Sequence, residues 1–182
     1  MWTIRSELAD IAKHTPLSMS VEEYEWVYRY AKKAEPQFLD IGTHYGLSAL
    51  VMLKARPNAQ ILTLDNLADF GEDKEGAMRT DCGRLIEGEE NVVTIFGESQ
   101  LLVPLVNASF GLALIDGSHW AKDVARDIKN CENVPIVLVH DALDEGPREA
   151  LKSYEYELLP TKKINTEWDI EPRGLALLGD PK

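Results

Sequence analysis

The sequence is poor in cysteine. Among its 182 residues only Cys82 and Cys131 carry a thiol. They share no CxxC or zinc-ligand spacing, so two reduced, structural thiols are expected. No apolar run approaches the ~18 residues of a membrane span. The opening stretch MWTIRSELADIAKH is charged throughout and has no apolar signal core, which makes a cytoplasmic protein the expectation. Positive charge is scarce too: 19 Lys and Arg stand against 31 Asp and Glu, a net charge of −12. With no basic cluster, a phosphate backbone would be repelled. Neither a nucleic-acid nor a membrane partner is expected, and the acidity predicts solubility. Internal repeats, low-complexity tracts and linkers are missing as well. What remains is 45% apolar and 27% charged, ordinary for a globular protein. The length suits one domain, 1–182, with 1–35 as a helical cover.

The pattern of what is present alternates. Ser20 and Glu23 fit a capping box, and Val21, Tyr24, Val27, Tyr28 and Ala31 follow at helical spacing. Strands are predicted at 37–41, 60–65, 91–96, 110–116 and 135–140. Helices are predicted at 46–56, 99–107, 121–131 and 147–154, with a short one over 74–87. Two more strand candidates, 156–162 and 174–179, have no long helix between them and suit an antiparallel hairpin at a sheet edge. Strands alternating with helices imply parallel pairing through right-handed crossovers. The runs LALI and PIVLV suit strands covered on both faces. The fold class is α/β, doubly wound, mostly parallel, with an antiparallel C-terminal edge.

Acids recur where these strands end. Asp40 lies near the end of the first, Asp65 ends the second, Asp116 the fourth, and His140-Asp141 the fifth, while the third runs into Gly97-Glu98-Ser99. In an open parallel sheet these ends share one edge, and ligands bind there. Carboxylates crowded on that edge repel one another and call for a cation or hydroxyl donors. In FLDIGTHYG, Gly42 and Gly46 clear the turn after the first strand for a ligand to lie against the backbone. The helix that follows aims its N–H groups into the same space. Asp65, about 20 residues on, stands where an acid accepts both ribose hydroxyls. His44 holds the middle glycine position of a GxGxxG, which counts against a tightly held pyrophosphate but suits a nucleoside without phosphates.

With LDIGTHYGLSAL, TLDN, FGES, LALIDGSHWAKDVARDI and VLVHD in this order over residues 37–141, the chain resembles the class I S-adenosylmethionine-dependent methyltransferases. More narrowly, it resembles the small O-methyltransferase-like families with an IDGxH…HD signature (the methyltransferase family 24 type). The resemblance implies a Rossmann-like fold and S-adenosylmethionine as cofactor. It implies that Asp40, Gly42, Thr43, His44, Gly46 and Ser48 hold the methionine part. Asp65 would take the ribose, with Asn66 or Leu67 beside the adenine and Gly97, Glu98 and Ser99 flanking it. Asp116 would face the methyl-transfer side. Metal-dependent relatives bind magnesium with acids at the positions of Asp116 and Asp141, and His119 and His140 are placed to act as base or ligand support. The alternative for Asp116 is a cap on the helix at 121, and for Asp141 an ordered turn. Where the family carries Pro-Gly-Gly before the fifth strand, this chain has ENVP, and Trp120 is offset from the usual Tyr. No Asn-Pro-Pro-Tyr element of nucleic-acid amino-methyltransferases is present.

The first reading is therefore a methyltransferase acting on a small-molecule methyl acceptor at oxygen, with Mg2+ as a candidate helper. The alternatives are a cofactor-binding protein of this fold without methyl transfer, or an enzyme using the fold for cofactor cleavage or oxidation. Trp2, Trp26 and Tyr28 are expected in core or interface, and the aromatic N-terminal helix predicts a homodimer. Acceptor choice would lie in 66–90, 142–155 and the N-terminal segment.

Overall fold

The computed structural model describes residues 4–67 and 81–179. Trp2, and residues 74–80 of the helix expected over 74–87, lie outside them. Its elements run α1 (Ile4–Ile11), α2 (Val21–Lys33), β1 (Gln37–Ile41), α3 (Leu47–Ala55), β2 (Gln60–Asp65), β3 (Val92–Phe96), α4 (Ser99–Leu102), β4 (Leu112–Ile115), α5 (Ala121–Asn130), β5 (Ile136–Val139), α6 (Glu145–Leu151), β6 (Glu157–Leu159) and β7 (Leu175–Leu178).

The strands form one sheet in the order β3-β2-β1-β4-β5-β7-β6. The first five are parallel. β7 runs antiparallel to both β5 and β6. The C-terminal pair is thus antiparallel as expected, but β7 inserts beside β5 and leaves β6 at the edge, because the 160–174 connection is long enough to cross. The doubly wound α/β expectation is met.

The two-residue side-chain period of a strand sorts the core into two layers. Phe38, Leu112, Leu114, Ile136 and Leu138 pack with α1, α2 and α3 on one face. Leu39, Ile41, Ala113, Ile115, Val137 and Val139 pack with α5 and α6 on the other. β4 and β5 are buried at every position, which is why they read as unbroken apolar runs. By the same parity Asp40, Asp116 and His140 continue the α2 side.

Local chemistry sets the helix bounds. The capping box at α2 is formed, Glu23 N–H donating to Ser20 Oγ at 3.4 Å and Ser20 N–H to Glu23 Oε2 at 2.8 Å. The helix expected over 99–107 stops at Leu102 and tightens into a 3-10 turn, Val103–Leu105, because Pro104 removes an N–H. The last long helix starts at Glu145, two residues before Pro147, which its first turn tolerates since that N–H has no partner there anyway. Residues 84–86 form only a 3-10 turn. Trp26 and Tyr28 pack partly buried against the core. Cys82 and Cys131 are free, and burial pushes both thiols up to about 12. No helix among the described residues is long and apolar enough to cross a membrane.

Candidate active site

The carboxyl ends of the parallel strands open into one cleft of about 760 Å3. Its cofactor-side wall is built from Gly42, His44, Asp65, Asn66, Gly97, Glu98 and Ser99. The opposite wall carries Asp116, His119, Trp120, His140 and Asp141, with Arg173 and Glu171 from the approach to β7. Asp40, Thr43, Gly46 and Ser48 lie behind the wall instead. Asp40 is fully buried under α3. Its Oδ2 accepts from Ser48 Oγ at 2.9 Å and Thr63 Oγ1 at 3.1 Å, and Thr43 joins Thr63 through a 2.6 Å hydroxyl contact. Burial pushes Asp40 up to about 7 despite those bonds.

The glycines of FLDIGTHYG have a packing reason of their own. Gly42 has φ +101°, and a Cβ there would stand 2.3 Å from the Asp116 backbone oxygen. The turn after β1 therefore touches the turn after β4, closing the floor of the cleft. Gly42→Ala is expected to cost about 3 kcal/mol or more from strain and overpacking together, read as a lower urea midpoint. A Cβ on Gly46 would meet Ile86 at 2.8 Å. His44, at φ +45°, donates its N–H to Asp65 Oδ2 at 2.9 Å, and Leu67 N–H donates to Asp65 Oδ1 at 2.6 Å. Both oxygens of the ribose candidate are thus held in place before any ligand arrives. Across the same wall Asn66 Nδ2 donates to Glu98 Oε1 at 3.4 Å.

The acids on the opposite wall are compensated by protein cations. Parallel register sets Ile115 beside Val139, so Asp116 falls beside His140, and its Oδ1 lies 2.7 Å from His140 Nδ1. Asp116 therefore does not cap α5, whose N-cap residue is Trp120. Asp141 does sit in a turn, at φ +55°, yet its side chain reaches three basic groups. Its Oδ2 is 2.8 Å from His119 Nδ1. Its Oδ1 is 3.3 Å from His140 Nδ1 and 3.5 Å from Arg173 Nη1. Behind the wall, Glu23 Oε2 approaches His140 Nε2 at 3.6 Å, an ion-pair contact longer than a hydrogen bond. Burial would push the His140 imidazole down, but the charges of Asp116, Glu23 and Asp141 outweigh it and hold the ring well above its ordinary value. Hydrogen bonding to Asp141 raises His119. Burial opposes ionisation of Asp141, and its histidine and arginine partners bring it below the ordinary range.

Two participants were not singled out from sequence. Glu23 read as a capping residue only, and Arg173 stood in a tail without a motif. The capping box did flag Glu23, but its contact with His140 exists only once α2 covers the sheet.

Two groups of side chains on this wall gather donor atoms closely enough for a divalent cation. Asp116, His140 and Asp141 offer one ligand atom each within 4.8 Å of one another, and His119, Asp141 and Asp144 do the same. Asp141 Oδ1 is buried and accepts no hydrogen bond, its nearest basic groups standing at 3.3 and 3.5 Å, so it keeps a lone pair to offer an ion. The donor set fits.

Residues 39–142 match the family described as a methyltransferase domain. Among curated proteins none matches. A Podospora anserina methyltransferase, PaMTH1, solved with S-adenosylhomocysteine, is similar at 17% identity and TM-score 0.65 over 100% of this chain and 89% of that one. The O-methyltransferase TomG from Streptomyces achromogenes, solved with S-adenosylmethionine, is similar at 14% identity and TM-score 0.64 over 99% and 91%. A methyltransferase from Geobacter sulfurreducens gives 13% identity and TM-score 0.62 over 96% and 87%. At such identities the likeness is one of fold. The matched segment spans the strands β1 to β5 that build the cleft and covers more than half of the sequence. The chain belongs to the methyltransferase-domain family, in keeping with the S-adenosylmethionine-dependent class it resembles in sequence.

Proposed function

We propose that this methyltransferase moves the methyl group of S-adenosylmethionine to a hydroxyl oxygen of a small-molecule acceptor. The observation that carries the reading is the Asp141–His119 pair on the wall of the cleft. His119 is largely exposed there, its side chain 59% accessible, and its Nδ1 is bound to Asp141. That bond keeps the Nδ1 proton in place and leaves Nε2 to accept a proton from a hydroxyl. Displacement at a sulfonium methyl is in-line, so most of the catalysis is alignment. The nucleophilic oxygen still has to lose its proton, and His119 would take it.

The other residues take roles around that step. Asp65, with both oxygens preset by backbone N–H groups, would hold the ribose hydroxyls. Asn66, Gly97, Glu98 and Ser99 would border the adenine. Asp116, tied to the buried charged His140, would face the reacting centre and position the acceptor. Asp116 and Asp141 are the residues that would hold Mg2+ through carboxylate oxygens; the ion would lower the pKa of a bound hydroxyl.

Thermal unfolding with S-adenosylhomocysteine tests the reading. A ligand bound only by the native state at 100 times its Kd adds about 2.7 kcal/mol. At roughly 2–4 °C per kcal/mol for a chain of this size, the midpoint should rise by about 5–10 °C. A further rise with magnesium, reversed by EDTA, would support the Asp116–Asp141 ion. An unmoved midpoint at millimolar ligand would sink the cofactor assignment.

A further inference from the structure

Asp127, in the DI that closes LALIDGSHWAKDVARDI, stands apart from the reacting groups and does not line the cleft. We infer that Asp127 is a positioning residue for the cofactor, holding the turn between β3 and α4 at the height of the adenine without touching the ligand. The inference rests on the cofactor reading of the cleft.

Asp127 is completely buried on α5. Its two oxygens take Ser99 Oγ at 2.9 and 3.1 Å, and Oδ2 also takes Gln100 Nε2 at 2.9 Å. One turn on along the same face of α5, Asn130 Nδ2 donates to the Gln100 carbonyl at 3.4 Å. Ser99 and Gln100 both line the cleft, whereas Asp127 does not. From the other side the same turn is held by Gly97 N–H, which donates to the Asp65 carbonyl at 2.8 Å. The wall segment 97–100 is therefore gripped between the ribose acid's own backbone and a carboxylate inside the protein.

A purely structural reason for Asp127 is weak on energetic grounds. Burying a carboxylate is costly unless it is fully bonded. Val124 and Ile128 already anchor α5 in the apolar layer. What the carboxylate adds is directional: charge-assisted bonds to two consecutive residues of a short, four-residue helix. Such supporting bonds are what keep a binding segment at its working geometry. In the sequence motif, the loop on the acceptor side and the residue that steadies the cofactor side are joined by a single helix.

The test compares S-adenosylhomocysteine affinity by calorimetry in four chains. Asp127→Ala leaves Ser99 and Gln100 without their partner and is expected to weaken binding at least fivefold. Asp127→Asn can still accept from Ser99 and, with the Gln100 amide turned over, donate to it; it should recover to within threefold of wild type. Val124→Ala, which trims the same helix's core face, should lower thermal stability while binding stays within twofold. If Asp127→Ala fails to fold, Asp127→Ser, too short to span both partners, takes its place under the same threshold. A loss under fivefold in that variant, or a Val124→Ala loss as large at equal destabilisation, overturns the inference. Wild type that does not bind at millimolar ligand overturns the cofactor reading itself and the positioning role with it; normal wild-type binding with an indifferent Asp127 variant overturns the positioning role alone.

Discussion

Asp141→Asn should lower methyl transfer by about 10²–10⁴-fold, the range general-base catalysis supplies, while S-adenosylhomocysteine affinity stays unchanged. The substitution is a clean one. Asp141 holds φ +55°, a conformation that asparagine tolerates better than most residues, so the backbone should not move. What changes is charge. Asp141 Oδ2 lies 2.8 Å from His119 Nδ1 and Oδ1 is 3.5 Å from Arg173, and a neutral amide would no longer fix the ring or balance the charge it gains on taking a proton. His119→Gln should show a loss of similar size. The assay is conversion of S-adenosylmethionine to S-adenosylhomocysteine across a panel of small hydroxylated acceptors. Undiminished turnover in both variants would remove the base from the proposal. Because His119 is raised from its ordinary 6.5 by Asp141, turnover should climb with pH through a value above 6.5 as Nε2 becomes free to accept.

Glu23→Ala should be the most destabilising of the single substitutions considered, costing about 3–5 kcal/mol, as expected when one partner of a buried ion pair is removed. Glu23 has no exposed surface. Beyond His140, its carboxylate accepts from Ser20 N–H at 2.8 Å, Arg173 N–H at 3.0 Å and Gly174 N–H at 2.8 Å. Alanine would leave the Ser20, Arg173 and Gly174 N–H groups without their acceptor and remove one of the carboxylates that balance the buried His140 imidazolium. Urea titration of both chains reads the difference, and a loss below 1 kcal/mol would refute the account. The pH dependence follows from opposite shifts. Burial disfavours the charged form of each partner, yet it is outweighed, for Glu23 by His140 and Ser20 and for His140 by Asp116 first and then Glu23 and Asp141. Glu23 ends below its unfolded 4.5, and His140 well above its unfolded 6.5. The Glu23 contribution is therefore present above about 4.5 and lost as pH falls through its folded value. The His140 contribution is present below about 6.5 and lost as pH rises through its folded value. Stability from this pair should hold across the mildly acidic to neutral range and decline at both ends.

The ligand edge was legible because its signals are local. Asp40, Asp65, Asp116 and Asp141 each close an apolar run, and strand ends in a parallel sheet share one side. The order of motifs from LDIGTHYG to VLVHD carried the family. Roles were harder to read. Asp40 and Ser48 sat in the motif expected to hold methionine, yet they bond to each other inside the protein, since strand parity turns Asp40 beneath α3. Gly42 reads as ligand clearance, but it is already required by the backbone of Asp116. Crowded acids called for a cation or hydroxyl donors, and the structure sets His140, His119 and Arg173 against them.

By itself, then, the sequence determined the alternation of strands and helices, the two-sided burial of β4 and β5, the capping of α2 and the edge on which the acids gather. All of these depend on residues within a few positions of one another. Only the tertiary structure decided that β7 lies inside β6, that Glu23 reaches His140 across more than a hundred residues, that Arg173 meets Asp141, and that Asp127 braces Ser99. Those pairings depend on which faces of the sheet α2 and α5 cover and where a long connection returns the chain, and spacing along the sequence carries no record of either.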